Sequence, residues 1–165
     1  MAERTQVDLD AFVAHEYPKV VAAVGLITGN RQDAADAVQD AIVGYLAKPP
    51  TREIANLAAW ITVVASNRAR DRQRSRGAES RAYAKLGTTD ESYDATLAGL
   101  DIDVLRALEA LPRQQKEVCV LHYLLDQSVA QVAEGLGVSE GTIKTQLHRA
   151  RTALAARLRR EDHHG

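Results

Sequence analysis

The chain has 165 residues, of which 45% are apolar, 26% charged and only 4% aromatic. No run of about 18 apolar residues occurs, which excludes a membrane-spanning helix, and residues 1–6 lack the pattern of an export signal, so we expect a cytoplasmic protein. The single cysteine, Cys119, cannot form an internal disulfide, which agrees with a reducing compartment. The 21 basic and 22 acidic side chains give a net charge of −1, which by itself argues against a nucleic-acid binder.

The charge is distributed unevenly along the chain. Residues 1–50 hold 4 basic and 7 acidic side chains, residues 51–86 hold 8 and 3, residues 87–112 hold 1 and 6, and residues 113–165 hold 8 and 6. Because charges act over about 8–10 Å at physiological salt, a near-neutral total is compatible with a basic face that binds nucleic acid. Six arginines between residues 68 and 81 are the strongest candidate for that face. The same arginines would also suit an ordinary solvated helix surface.

Alanine, leucine and valine dominate the chain and recur at helical spacing, which predicts an all-α fold. We expect helices over about 8–16, 18–28, 33–47 and 52–74, with stop signals at Gly29-Asn30 and Pro49-Pro50. From residue 75 to about 100 the apolar pattern fails, and helices resume at 101–112 and at Pro112. The sequence therefore predicts two small helical domains, 1–76 and 102–165, joined by a flexible acidic linker over residues 77–101.

Residues 126–158 carry the pattern of a helix-turn-helix. Ser128 and Gln131 form a capping-box signature for a short helix over 129–135, a glycine turn follows, and Ser139 is expected to cap a longer helix. The two helices should be held together by Val132, Leu136, Val138 and Ile143. On the longer helix, one face collects the apolar Ile143, Leu147, Ala150 and Leu154. The opposite face and its margins carry Thr142, Lys144, Thr145, His148, Arg149, Arg151 and Thr152, which suits a major groove, although an ordinary surface helix is the alternative.

Several of these stretches resemble one family. Residues 111–118 (LPRQQKEV) and 137–151 (GVSEGTIKTQLHRAR) resemble the promoter-reading region four of extracytoplasmic-function (ECF) sigma factors. Residues 33–40 (DAADAVQD) are similar to the region-two helix that docks on RNA polymerase, and residues 60–72 (WITVVASNRARDR) to the helix that reads and opens the minus-ten element. Departures from the family pattern occur at Ala35, Ala41, Ile42, Lys116 and Gln131, and they concern partner affinity and promoter preference rather than the fold.

The resemblance implies a transcription initiation factor that performs no chemistry, needs no cofactor or metal, and directs core RNA polymerase to promoters. It implies core polymerase, promoter DNA and an anti-sigma factor as partners of a chain that is monomeric when free. The implied polymerase-binding residues are Asp33, Asp36, Gln39 and Asp40. The implied minus-ten residues are Asn67, Arg68, Asp71, Arg72 and Arg74. The implied minus-thirty-five residues are Ser139, Thr142, Lys144, Thr145, His148, Arg149 and Arg151.

The residue patterns leave alternatives open. The acidic helix face of Asp33, Asp36 and Asp40 suits a basic partner, and it would suit a metal less well because no histidine stands at ligand spacing with it. Trp60 fits either the core or a base-stacking platform. Cys119 and His122 fit either a buried pair or part of a zinc site.

Two other classes of function compete with the sigma-factor hypothesis. A stand-alone helix-turn-helix regulator would bind an operator without polymerase, but it needs a sensor domain or a dimer interface, and residues 1–76 show neither in recognisable form. An enzyme has little support, because no catalytic triad spacing, phosphate loop or His-Glu-x-x-His motif is present. The terminal pair His163-His164 has no assigned role.

Overall fold

The structure, a computed structural model, describes residues 2–86 and 101–162, with side chains over residues 8–75 and 101–160. Every regular element in these ranges is helical, which confirms the all-α prediction. The described residues form two compact units, one before residue 87 and the other from residue 101 onward. None of the helices in these ranges has the length and apolar character that crossing a bilayer requires.

The first unit consists of α1 (Ala2–His15), α2 (Tyr17–Thr28), α3 (Arg31–Ala47) and α4 (Leu57–Leu86). Helix α2 ends at Gly29, which adopts the left-handed conformation (φ 74°) and donates its N–H to the Gly25 carbonyl. Asn30 then caps α3, accepting the Asp33 N–H at 3.2 Å. The predicted stop at Gly29-Asn30 is therefore both the end of one helix and the start of the next.

Small apolar side chains form the core of the first unit. Helices α2, α3 and α4 pack on one another, and the alanines among their buried residues allow the close approach of the backbones. Trp60 packs against this core, with its ring centroid 5.6 Å from that of Tyr45, which favours the packing interpretation over a stacking platform. The apolar residues of this unit with no exposed surface are Val20, Val24, Leu26, Ala34, Ala37, Val38, Ala41, Ile61, Ala65 and Ala69.

Helix α4 differs most from its predicted bounds. It begins at Leu57 rather than near Arg52, because Asn56 accepts the Ala59 N–H and caps the helix there. It ends at Leu86, so residues 77–86 are helical and their assignment to the linker is wrong. This stretch is rich in alanine and in charged helix formers, but it lacks the apolar stripe on which the sequence prediction depended. The remainder of the predicted linker, from residue 87 to 100, and His163-His164 lie outside the described residues.

The second unit consists of α5 (Ile102–Glu109), α6 (Arg113–Cys119), a π-helical turn (Val120–Leu124), α7 (Val129–Leu136) and α8 (Glu140–Asp162). Its core is formed by Leu105, Leu108, Leu111, Val118, Leu121, Val132, Ile143, Leu147 and Ala150, all buried. Leu154 lies further along the predicted apolar face of α8 and is half-buried. The apolar face predicted for the longer helix is thus the one that packs inward.

The N-termini of α7 and α8 confirm the predicted capping pattern. Ser128 and Gln131 exchange reciprocal hydrogen bonds between side chain and backbone, at 2.9 and 3.1 Å. Gly137 is left-handed (φ 69°), and the Ser139 hydroxyl accepts the Thr142 N–H at 3.1 Å. After the turn, the Val138 N–H donates to the Ala133 carbonyl at 3.0 Å, and the Val138 side chain is 42% exposed.

Candidate polymerase and nucleic-acid interfaces

Helix α3 presents an exposed face on which polar residues are followed by apolar ones. Asp36 and Gln39 are exposed, and Val43 and Leu46 keep 63% and 47% of their surface in solvent. Their spacing of three, four and three residues places them on one side of the helix, and we call these four residues the α3 face. Exposed apolar side chains next to a carboxylate are typical of a protein-binding surface. Val43 and Leu46 were not predicted from the sequence, although this spacing was the signal that could have found them.

Asp33 lies apart from the α3 face. It is only 5% exposed, and its carboxylate accepts the side-chain amide of Asn30 at 3.1 Å while its N–H donates back to the same side chain. A carboxylate in the first turn also interacts favourably with the helix dipole. The prediction that Asp33 belongs to an exposed acidic face is therefore wrong, since this residue takes part in capping α3.

Asp40 connects α3 to the arginine-rich helix. Its carboxylate forms an ion pair with Arg72 of α4, and its backbone carbonyl accepts a hydrogen bond from Arg68 Nη1 at 3.0 Å. Asp40 was predicted to bind polymerase, and the two arginines were predicted to bind DNA. The structure brings all three together at the α3–α4 contact, where the carboxylate pairs with one guanidinium group and the neutral carbonyl accepts a hydrogen bond from the other.

Gly44 makes room for this contact. A Cβ atom at Gly44 would lie 2.7 Å from Arg68 Nη2, which is too close for a non-bonded pair. The Arg68 guanidinium therefore lies directly against α3, one turn along the helix from Asp40. Arg68 therefore hydrogen-bonds α4 to α3, a contact that the sequence pattern of alternating arginines did not indicate.

The other minus-ten residues implied by the resemblance lie on the exposed side of α4. Asn67, Asp71 and Arg74 are exposed and follow one another at spacings of four and three residues, so they form a ridge, which we call the α4 ridge. Arg70 joins it, since its Nη2 lies 3.5 Å from the Asn67 side-chain oxygen. An amide, a carboxylate and guanidinium groups in one row can hydrogen-bond to both bases and phosphates.

Helix α8 exposes the polar residues that the sequence assigned to DNA. Ile143, Leu147 and Ala150 are buried, so the opposite side of the helix faces solvent. Ser139 is also exposed, but its hydroxyl serves as the helix cap and lies 2.9 Å from the Thr142 hydroxyl. The exposed residues that we call the α8 face are Thr142, Lys144, Thr145, His148, Arg149 and Arg151.

Tyr123, which the sequence analysis did not single out, lies next to the α8 face. Its hydroxyl accepts a hydrogen bond from Arg151 Nε at 2.6 Å, and the Arg151 Cζ atom lies 5.7 Å from the ring centroid. No motif predicts this pair, because 28 residues separate its members.

The nearby Cys119 is buried, and burial raises the pKa of its thiol to about 11, although the positive charge of Arg151 acts to lower it.

A zinc site at Cys119 and His122 would need at least one further ligand. Among the described residues, no group of three potential metal ligands is present. His122 Nδ1 instead lies 2.7 Å from the Gln127 carbonyl oxygen.

Lys116, one of the departures from the family pattern, is buried beside Glu109 and Arg113. Burial lowers the pKa of its ammonium group, Glu109 acts against that shift, and Arg113 adds to it.

Comparison with known proteins agrees with this architecture. Residues 12–79 match the family described as Sigma-70 region 2, and residues 101–154 match Sigma-70, region 4. The ECF RNA polymerase sigma factor SigF of Caulobacter vibrioides is 31% identical over 82% of this chain and 76% of its own length. SigL of Mycobacterium tuberculosis, also an ECF sigma factor, is 32% identical over 78% of this chain and 76% of its own.

A solved structure extends the likeness to the fold. The sigma factor RpoE of Bartonella quintana, crystallised with the anti-sigma factor NepR, superposes with a TM-score of 0.70 at 25% identity, over 92% of this chain and 97% of that one. Two helical units with these two regions in this order define a sigma-70-type factor. The chain belongs to the ECF RNA polymerase sigma factors. It is a transcription initiation factor that binds core RNA polymerase and directs it to promoters.

Proposed function

We propose that the two units divide the promoter between them. The first unit docks on core RNA polymerase through the α3 face and reads and melts the minus-ten element through α4, while the second unit reads the minus-thirty-five element through α8. The match of residues 12–79 to region 2 and of residues 101–154 to region 4 supports this division. We further propose that the protein acts in the cytoplasm and is a monomer when free.

The observation that best supports docking through α3 is the pair of exposed apolar side chains, Val43 and Leu46, next to Asp36 and Gln39. Apolar residues at the centre of an interface supply most of its binding free energy, and the surrounding polar groups supply orientation. Asp36 adds charge complementarity to a basic partner surface. Asp40 lies at the edge of this surface. Its carboxylate already pairs with Arg72, and this ion pair limits its contribution to binding polymerase.

For the minus-ten element, the α4 ridge provides the groups that contact a separated strand. Asn67 and Asp71 can hydrogen-bond to base edges, and Arg70 and Arg74 can neutralise phosphates. Strand separation costs a few kcal/mol for each unstacked base, and capture of the base by the protein offsets that cost. Arg68 and Arg72 support this ridge by fixing α4 against α3, and they contribute positive charge next to it.

For the minus-thirty-five element, the N-terminal half of α8 enters the major groove. Thr142, Lys144 and Thr145 lie within the first two turns, where residues of a recognition helix reach base edges. Arg149 has the bidentate geometry that recognises guanine, while His148 can hydrogen-bond to bases or phosphates. Ser139 acts indirectly, because its hydroxyl fixes the first turn of the helix.

We also propose regulation by an anti-sigma factor that covers the α3 face when the protein is idle. The support is the likeness to Bartonella quintana RpoE, which was crystallised with the anti-sigma factor NepR. A factor that covers Val43 and Leu46 would exclude polymerase and bury these exposed side chains at once. Affinity purification of the chain from its native cell should then recover such a protein as well as polymerase, and recovery of polymerase alone would contradict this part of the proposal.

The test of docking uses two matched substitutions. Val43→Glu places a carboxylate in the α3 face, and Val13→Glu places one at an exposed valine of α1, outside that face. Size-exclusion chromatography with purified core polymerase should show holoenzyme with Val13→Glu and little or none with Val43→Glu. Equal assembly of both variants would refute docking through α3. A chain that never assembles with polymerase but binds duplex DNA alone would instead support the stand-alone regulator.

A further inference from the structure

The π-helical turn between α6 and α7 places an aromatic side chain next to the recognition helix. The turn spans Val120–Leu124 and closes with a hydrogen bond from the Leu125 N–H to the Val120 carbonyl at 3.2 Å. A π-turn inserts an extra residue, which changes the direction of the side chains that follow it, and such turns occur often at functional sites. Tyr123 lies in this turn and keeps 51% of its surface exposed.

The surroundings of Tyr123 fix its position. Its ring lies edge-on to that of His122, with centroids 4.8 Å apart, and His122 is in turn hydrogen-bonded to the Gln127 carbonyl. Gln127 is buried, and its N–H donates to the Leu121 carbonyl at 3.1 Å. Asp126 takes the left-handed conformation (φ 54°), which is uncommon for a residue other than glycine and closes this turn. These contacts define the backbone of the turn, and the half-exposed Tyr123 side chain contacts His122 and Arg151.

The hydrogen bond from Arg151 to Tyr123 uses one of five N–H donors. The Nε proton goes to the tyrosine hydroxyl at 2.6 Å, and the guanidinium lies 5.7 Å from the ring. An arginine that is held through Nε keeps its two Nη groups for another acceptor. The tyrosine hydroxyl, having accepted the Nε proton, can still donate its own. Together the two side chains present several donors and one positive charge on the same side of the second unit.

We propose that Tyr123 is a positioning residue of the DNA interface, which holds Arg151 so that its guanidinium binds a phosphate of the DNA backbone. The inference rests on the proposed function of α8. A phosphate is favoured over a base because Arg151 follows Arg149 by two residues, about 200° around α8, so it faces the edge of the groove when Arg149 faces the bases. Holding a long side chain in advance also reduces the rotamer entropy that is lost when DNA binds.

The test is a double-mutant cycle on the full chain. Tyr123→Phe removes the hydroxyl and keeps the ring, Arg151→Ala removes the cation, and the third variant carries both. The probe is a fluorescein-labelled duplex of mixed sequence at low salt, because a phosphate contact does not depend on base sequence. Tyr17→Phe, in the first unit, is the control for loss of a tyrosine hydroxyl. Lys144→Ala, which removes another exposed cation of the same helix, reports whether α8 binds the duplex at all.

Tyr123→Phe should weaken duplex binding by about 2- to 5-fold, and it should have no effect in the Arg151→Ala background. Arg151→Ala should also reduce the slope of log affinity against log salt by about 1. Without DNA, the NMR signal of the Arg151 Nε–H should shift in Tyr123→Phe while the thermal unfolding temperature stays the same. A tyrosine whose role was confined to folding would not produce this combination.

Three results would overturn the inference. Unchanged binding by Tyr123→Phe, when Lys144→Ala weakens it, would remove the role of Tyr123 and leave the proposed function of α8 intact. An equal effect of Tyr123→Phe with and without Arg151 would show that the tyrosine does not act through the arginine. Absence of duplex binding by the unsubstituted chain would refute this inference, whereas the proposed role of α8 is tested separately by Arg149→Ala in the holoenzyme.

Discussion

Replacing Asp40 with asparagine separates the two roles that meet at the α3–α4 contact. Asparagine keeps the backbone carbonyl that accepts Arg68 and removes only the charge that pairs with Arg72. The side chains of Arg72 and Asp40 are 33% and 44% exposed, and ion pairs this accessible contribute about 0.2–1 kcal/mol to stability. We therefore expect Asp40→Asn to lower the free energy of unfolding by that amount, and we expect the loss to shrink at high salt.

The same substitution should strengthen binding to single-stranded DNA. Once Asp40 no longer holds it, the Arg72 guanidinium becomes available to a phosphate next to the α4 ridge. A release of about 0.2–1 kcal/mol corresponds to tighter binding by about 1.5- to 5-fold. Fluorescence anisotropy with a labelled single strand measures the affinity, and urea unfolding measures the stability of the same samples.

Asp36→Asn is the matched control, because it removes an equal charge from an exposed position on the same helix. Both variants lower the overall repulsion of DNA, so only the difference between them reports the release of Arg72. The difference should vanish when both are made in an Arg72→Gln background. If Asp40→Asn and Asp36→Asn change DNA affinity and stability equally, the ion pair does not restrain Arg72 and the reasoning is wrong.

Three further predictions concern the second unit. Arg149→Ala should weaken holoenzyme binding to the minus-thirty-five element by about 1–3 kcal/mol. Arg157 is also exposed but lies further along α8, so Arg157→Ala should not weaken this binding. Equal losses in the two variants would contradict a base contact by Arg149. Burial raises the Cys119 pKa from 9.0 to about 11, so as the pH rises the thiol ionises in the unfolded chain before it ionises in the folded one. The free energy of unfolding should therefore fall as the pH rises between those two values. Urea unfolding should show a smaller fall over the same pH range for Cys119→Ala. Ser128→Ala should lower the free energy of unfolding by about 1 kcal/mol, because it breaks the capping box. Ser75→Ala, at an exposed position of α4, is the control, and an equal or smaller loss with Ser128→Ala would argue against the cap.

Local sequence signals predicted the elements whose causes are local. The Gly29-Asn30 stop, the Ser128–Gln131 capping box and the Ser139 cap each depend on residues within three or four positions of one another, and all are present. The buried face of α8 follows from helical spacing alone, so Ile143 and Leu147 were predicted to face inward and do. The resemblance to two sigma-factor regions supplied the family, which the neutral total charge had obscured.

Contacts between distant residues were not predictable in the same way. The Asp40–Arg72 ion pair and the Arg151–Tyr123 hydrogen bond depend on how helices pack, and no local pattern marks their partners. Asp33 was misassigned because an acid in the first helical turn can face solvent or cap the helix, and the sequence does not distinguish the two. The helical residues 77–86 were missed because helix propensity without an apolar stripe was taken for a linker.

The central claim is that this chain confers promoter-dependent initiation on core RNA polymerase. Run-off transcription tests it most directly, using purified core polymerase and fragments of the native genome, with and without the chain. Discrete transcripts should appear only when the chain is added, and Val43→Glu should abolish them while Val13→Glu retains them. If no fragment gives a transcript that depends on the chain, while the chain alone footprints duplex DNA, the protein is a stand-alone regulator and the account is wrong.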